Sequence, residues 1–206
     1  MTVTEQGPGG WAWFQQRVKN ILFSPAEEWD RIEAEPATAK DLYLRYACIL
    51  AAIGPIARLI GGQVFGRRGF FLIVHPPLLR SIVSAVVDYG LNLAGVFVLA
   101  LAIDAMAPSF GGTRNRLQAL KLAVYAWTAG WIFAAFQLAP PVSGLSIIGV
   151  YSFYLLYLGL PKLMKPAGDK AVIYAVLSIV VALAIWIVAT LLAASLVVAA
   201  PVSASV

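Results

Sequence analysis

Residues that usually carry chemistry are scarce in this chain. It holds one cysteine, Cys48, and one histidine, His75, in 206 residues. A lone thiol excludes an internal disulfide and a cysteine-built metal cluster. A lone imidazole leaves no His-rich metal site and no support for a Ser-His-Asp set. His75 precedes Pro76-Pro77 and reads as a surface turn residue. No Gly-x-Ser-x-Gly, phosphate loop or His-Glu-x-x-His occurs. Gly7-Pro8-Gly9-Gly10 reads as a flexible leader. Charge is scarce too: 12% of residues against about 25% in a soluble domain. These shortages argue against an enzyme, and no cofactor and no metal are expected.

What replaces charge is apolar surface. Hydrophobic residues make up 61% of the chain and mean hydropathy is +0.83. A water-soluble domain this short buries only about two thirds of what its unfolded chain exposes. So much apolar surface excludes a soluble domain and a disordered chain. The net charge is +5, but most of the 15 Lys and Arg residues stand in the termini and loops between apolar runs. They point to anionic headgroups and no nucleic acid.

Runs of roughly 20 apolar residues, enough to cross about 30 Å of hydrocarbon, occur five times. They cover about 41–60, 82–107, 117–138, 142–160 and 171–198. Pro140-Pro141 divides the third from the fourth. The runs do not alternate in polarity, so helices rather than barrel strands are expected. The first run starts some 40 residues in, after an acidic stretch, which speaks against a signal peptide. The expected architecture is an all-α integral membrane protein: five transmembrane helices preceded by short amphipathic interfacial helices. The boundaries are 1–40 for the amino-terminal segment, 41–200 for the membrane domain and 201–206 for the tail.

In the first segment, Trp11, Phe14, Val18, Ile21 and Leu22 share one helical face, suited to the headgroup plane. Ser24-Pro25-Ala26-Glu27 has the form of a capping box and predicts a second helix from Pro25 to about Ala34. Pro36 ends it. Thr38 to Asp41 repeats the pattern and opens span one.

With the amino terminus inside, eleven of the fifteen basic residues lie at the inner face. Arg58, Arg67, Arg68 and Arg80 lie outside. The bias favours a cytoplasmic amino terminus and an outer carboxyl terminus. Phe70 to Val74 is too short to span and is expected in the outer interface.

The informative polar residues sit inside spans: Arg45 and Arg58 in span one, Asp88, Asn92 and Asp104 in span two. A charge at the bilayer centre costs about 2.5–3.5 kcal/mol on insertion scales, so it seeks a partner within the bundle. Arg45 and Arg58 stand about 20 Å apart along a helix, Asp88 and Asp104 about 24 Å. For antiparallel spans the levels match, which predicts the pairs Arg58–Asp88 and Arg45–Asp104. Asp41, one turn before Arg45, is the alternative partner. Asn92, one turn from Asp88, would extend the outer cluster. These pairs either fix helix packing or line a polar cavity for a proton, an ion or a headgroup.

Span three carries Ala126, Gly130 and Ala134 at four-residue spacing, a seam for close helix approach. Trp127 and Trp131 follow on a neighbouring face as packing or interface anchors. Tyr151, Tyr154 and Tyr157 form a hydroxyl stripe on span four. Gly90, Ala94 and Gly95 offer close contact on span two.

Several ordered pieces resemble the prokaryotic branch of the Yip family, the Ypt/Rab-interacting membrane proteins. They are Ser24 to Trp29, Asp41-Leu42-Tyr43, Ala107 to Gly112, Gln118 to Tyr125 and Tyr151 to Met164. The resemblance implies a five-span bundle with a cytosolic amino terminus. Eukaryotic relatives bind prenylated small GTPases and take part in vesicle formation. This chain has Leu44 where that branch usually has Gly, and Tyr125-Ala126-Trp127-Thr128 where a Tyr-Gly-Tyr-Ser-like motif would be. Small GTPase binding is therefore not carried over. The expected function is an adaptor or organiser of membrane partners or lipids at the inner membrane, acting through its inner-face elements. Its partners would be the lipid bilayer and membrane proteins or a second copy of the chain. The alternative is a small-solute, ion or lipid transporter or channel that uses the polar residues between spans one and two.

Overall fold

The computed structural model of the chain describes residues 10–68 and 73–199. Five helices among them are long and apolar enough to cross a membrane. Two short helices come first, α1 (Trp11–Phe23) and α2 (Pro25–Ala34). The spans follow: α3 (Ala39–Val64), α4 (Leu78–Phe110), α5 (Arg116–Leu138), α6 (Ser143–Met164) and α7 (Ala171–Ala199). Between α3 and α4, β1 (Arg67–Arg68) and β2 (Ile73–Val74) pair antiparallel. The expected interfacial segment thus contributes Ile73 and Val74 to a short hairpin, and residues 69–72 lie outside the described part. So do the tail 201–206 and most of the glycine-rich leader. His75 is exposed in the turn before α4.

Three of the spans are broken where the sequence requires it. Pro55 has no N–H and its ring crowds the carbonyl four residues back. Accordingly α3 breaks at Ala52, after a π-helical turn at Tyr43–Ala47. α5 is interrupted at Trp127 and ends in a 3-10 stretch, Ala134–Leu138. α6 begins with another, Ser143–Val150, before turning α-helical at Tyr151. Ser143 Oγ donates to the Pro140 carbonyl and Ser146 Oγ to that of Ser143. Such local bonds compete with the α-helical ladder. In lipid the freed backbone groups need partners, and neighbouring spans supply them. Tyr89 OH donates to the Cys48 carbonyl, and the Gly130 N–H donates to Ser152 Oγ at 2.8 Å.

The helix starts divide the two cap expectations. Thr38 Oγ1 accepts the Asp41 N–H at 3.1 Å and opens α3 as its sequence predicts. Ser24 makes no side-chain cap bond. Its backbone carbonyl accepts from Glu28 N–H, and its own N–H, which Glu27 would reach in a capping box, donates to the Asn20 carbonyl at 2.8 Å.

α1 and α2 fold back onto α5 and α6. Ile21, Trp29 and Ile32 are fully buried, with Phe14, Val18 and Leu22 packed around them. Trp11, expected on the apolar face, is 65% exposed. The apolar side of this hairpin therefore meets protein, and Gln15, Gln16 and Lys19 face outward. Basic residues of the bundle fasten α2. Lys121 Nζ donates to the carbonyls of Ile32 (2.8 Å) and Glu35 (2.6 Å), at the carbonyl-rich end of α2. Lys162 meets Asp30 and Lys165 meets Glu33, each at 2.5 Å. Arg17 pairs with Glu28 at 2.6 Å and with Glu35.

Trp29 lies in a notch that exists because residue 159 has no side chain. A Cβ on Gly159 would stand 2.6 Å from the Trp29 ring and 2.8 Å from Leu122. Overpacking of this kind costs about 1–3 kcal/mol. Gly159→Ala is expected to lower the unfolding temperature in detergent and to speed proteolysis between α2 and α3. Unchanged melting and cleavage would show that the hairpin is not held at this notch.

Candidate functional site

The two halves of the bundle are packed differently. In the half that carries α1 and α2, Tyr46, Leu50, Ile103, Leu122, Leu156 and Leu160 are at most 1% exposed. In the far half the five spans enclose a half-open cavity of about 1400 Å³. The 3-10 ends of α5 and α6 form part of its wall, where Gly130 and Gly149 cross closely; a Cβ on Gly149 would stand 3.2 Å from the Gly130 Cα. Elsewhere small residues leave space unfilled. Gly144, Ala189 and Ala193 line the cavity, and a Cβ on Gly144 would meet nothing within 4 Å.

Arg58 and Asp88 are the charged side chains among the described residues lining the cavity. Arg58 Nη2 lies 3.0 Å from Asp88 Oδ2, and Arg58 Nη1 donates to Gln137 Oε1 at 3.1 Å. The contact joins α3, α4 and α5 at one level. Two of the five guanidinium N–H groups are thereby engaged, and Nε is buried without an acceptor among the described residues. Asn92 lines the same cavity, and its Oδ1 accepts from Trp131 Nε1 at 2.9 Å. The remaining walls are mostly apolar, among them Ile147, Val150, Leu183 and Trp186. The site thus places one positive and one negative group in a chamber whose walls are mostly apolar, with hydroxyls from Ser84, Ser143, Ser146, Ser152 and Thr190 among them.

The second expected ion pair is corrected. Arg45 meets Asp41 at 3.2 Å, one turn back on its own helix, and Asp104 meets Arg116 at 3.8 Å. Equal depth does not ensure facing sides: Arg45 is half exposed while Asp104 is buried against the start of α5. The seam residues pack as small residues should. Ala126 is fully buried, Gly130 meets Gly149, and a Cβ on Gly54 would stand 3.1 Å from that of Ala134. Trp127 packs edge-on against Phe153. Of the tyrosine stripe, Tyr151 bonds the Leu22 carbonyl while Tyr154 and Tyr157 are exposed. Gly95 lies close to Ile185, whereas Gly90 has nothing nearby.

Gln137, the third member of the cluster, carried no signal beyond being an amide inside span three. Arg17 carried a clear one. It falls three residues after Phe14 and four before Ile21, on the apolar face of α1, where a cation needs a buried partner. Lys121 counted only as an orientation charge, yet it is 2% exposed. Among the described residues no three His, Cys, Asp or Glu side chains gather where they could hold a metal ion.

Comparison with known proteins agrees with this architecture. The family model for the Yip1 domain matches residues 19–200. The inner membrane protein YohC of Escherichia coli strain K12 is 30% identical over 150 residues, covering 70% of this chain and 77% of that protein. YohC of Escherichia coli O6:H1 strain CFT073 matches to the same extent. No solved structure matches the chain.

The Arg58–Asp88 contact is tested by a double-mutant cycle in detergent. Asp88→Asn and Arg58→Gln are each expected to cost about 1–3 kcal/mol, because each leaves a partly buried charge without its partner. The double variant should cost less than their sum by at least about 0.5 kcal/mol. Additive effects would mean that the contact contributes nothing.

Proposed function

For a chain that belongs to the Yip1 domain family and is a multi-pass membrane protein, we propose that the activity is to hold a membrane lipid in the cavity of the far half. The observation that carries this reading is the composition of that cavity: one ion pair at one level, a few amide and hydroxyl side chains, and mostly apolar walls around them. An amphiphile has the same distribution. Its headgroup would meet Arg58 and Asp88, and its chains would lie along α6 and α7. The protein is then an organiser of lipid rather than a catalyst.

A half-open volume of about 1400 Å³ within the bilayer is accessible to lipid, and walls such as Ile147, Val150 and Leu183 favour acyl chains over water. Its size exceeds the roughly 300–1,000 Å³ of a drug-sized pocket.

Two other readings receive less support. An open channel needs a continuous path, and the amino-terminal half is densely packed. An adaptor working through α2 and the Lys162 loop needs free charges. Asp30, Glu33, Lys162 and Lys165 are engaged with one another instead. The positive-inside bias and the name of the Escherichia coli relative support a bacterial inner membrane, with α1 and α2 cytoplasmic and the cavity toward the outer leaflet.

Native mass spectrometry of the protein in mild detergent tests the reading. The expected result is a retained phospholipid adduct that is lost when the cavity is filled by Gly144→Phe or Ala189→Trp, in variants that still elute as folded protein. Absence of any adduct, or adducts insensitive to both substitutions, would contradict it.

A further inference from the structure

Resting on that lipid-holding reading, we propose that the cavity selects a net-neutral phospholipid whose headgroup carries both a phosphate and a primary ammonium, a phosphoethanolamine.

The charge balance comes first. The described residues lining the cavity contribute one cation, Arg58, and one anion, Asp88. Their sum is zero. A phosphoglycerol headgroup brings a net negative charge with no compensating group among the described residues lining the chamber, and an uncompensated charge in a low-dielectric site is heavily penalised. A zwitterionic headgroup adds no net charge and matches both signs locally.

The state of the pair comes second. The contact between Arg58 and Asp88 runs through a single Nη2–Oδ2 approach of 3.0 Å rather than a two-point fork. The guanidinium retains donors beyond those used by Asp88 and Gln137. A phosphate accepts two parallel N–H bonds from such a fork. The ammonium would then take the carboxylate, so the ligand inserts its two charges into an existing pair without leaving either protein group alone. Ser84 lines the same chamber with a hydroxyl that can accept a further bond. A quaternary ammonium has no N–H to donate and gains less from Asp88.

Depth comes third. Arg58 is six residues from Val64 at the end of α3, about 9 Å along the helix. A headgroup drawn this far below the interface leaves its chains level with Leu183 and Trp186 of α7.

The test uses the full chain in mild detergent, titrated separately with three phospholipids of identical acyl chains bearing phosphoethanolamine, phosphocholine or phosphoglycerol. Bound fractions are read by native mass spectrometry. Phosphoethanolamine is expected to bind at least tenfold more tightly than phosphoglycerol and several-fold more tightly than phosphocholine. Asp88→Asn should abolish the preference over phosphocholine, and Arg58→Gln should weaken all three. The wild-type ranking decides the matter even if a variant does not fold. Equal affinities, or tightest binding of phosphoglycerol, would overturn the headgroup assignment and leave the lipid-holding reading standing. Binding of none of the three would overturn both.

Discussion

A charge taken into hydrocarbon must arrive with its partner, and in this bundle the partners determine which helices meet. Arg58 of α3 reaches Asp88 of α4 and Gln137 of α5, tying three spans at one level. Lys121 of α5 reaches the carbonyl end of α2, and Arg17 of α1 reaches Glu28 and Glu35. The consequences differ with what lies alongside. The Lys121 and Arg17 contacts are sealed among Trp29, Tyr125 and Ile32 and act as fasteners. The Arg58 contact faces open volume and has donors to spare.

The second organising feature is irregular helix. A break in an α-helix leaves backbone groups without their intrahelical partners. The break at Ala52 frees the Cys48 carbonyl and the break at Trp127 the Gly130 N–H, and side chains of other spans take them. Tyr89 and Ser152 each join two spans in this way. At Gly130 and Gly149 the absence of side chains permits a close crossing of α5 and α6 beside the cavity.

The five spans were legible because a charge gap of 20 residues is a one-dimensional property. Level matching anticipated the Arg58–Asp88 contact for the same reason, since depth is counted along a helix. It misplaced Arg45 and Asp104 because depth says nothing about rotation, and the broken turns of α3 alter the rotation. Ser24 looked like a cap by spacing, but its N–H is already held by the Asn20 carbonyl at the end of α1. The docked hairpin was partly legible: Arg17 interrupts the apolar face of α1, and only a protein partner explains that. The cavity was not legible. Gly130 and Ala134 let other spans approach, whereas Gly144 and Ala189 leave space empty, and the residue type is the same in both cases. Only the positions of neighbouring helices separate a seam from a hollow.

The most direct measurement is an experimental density map of the chain in a lipid nanodisc. The account predicts an elongated non-protein density within the far half, its polar end within hydrogen-bonding distance of the Arg58 guanidinium and its length along α7. A far half closed by contact between α7 and α5, with Arg58 and Asp88 sealed among side chains, would contradict it.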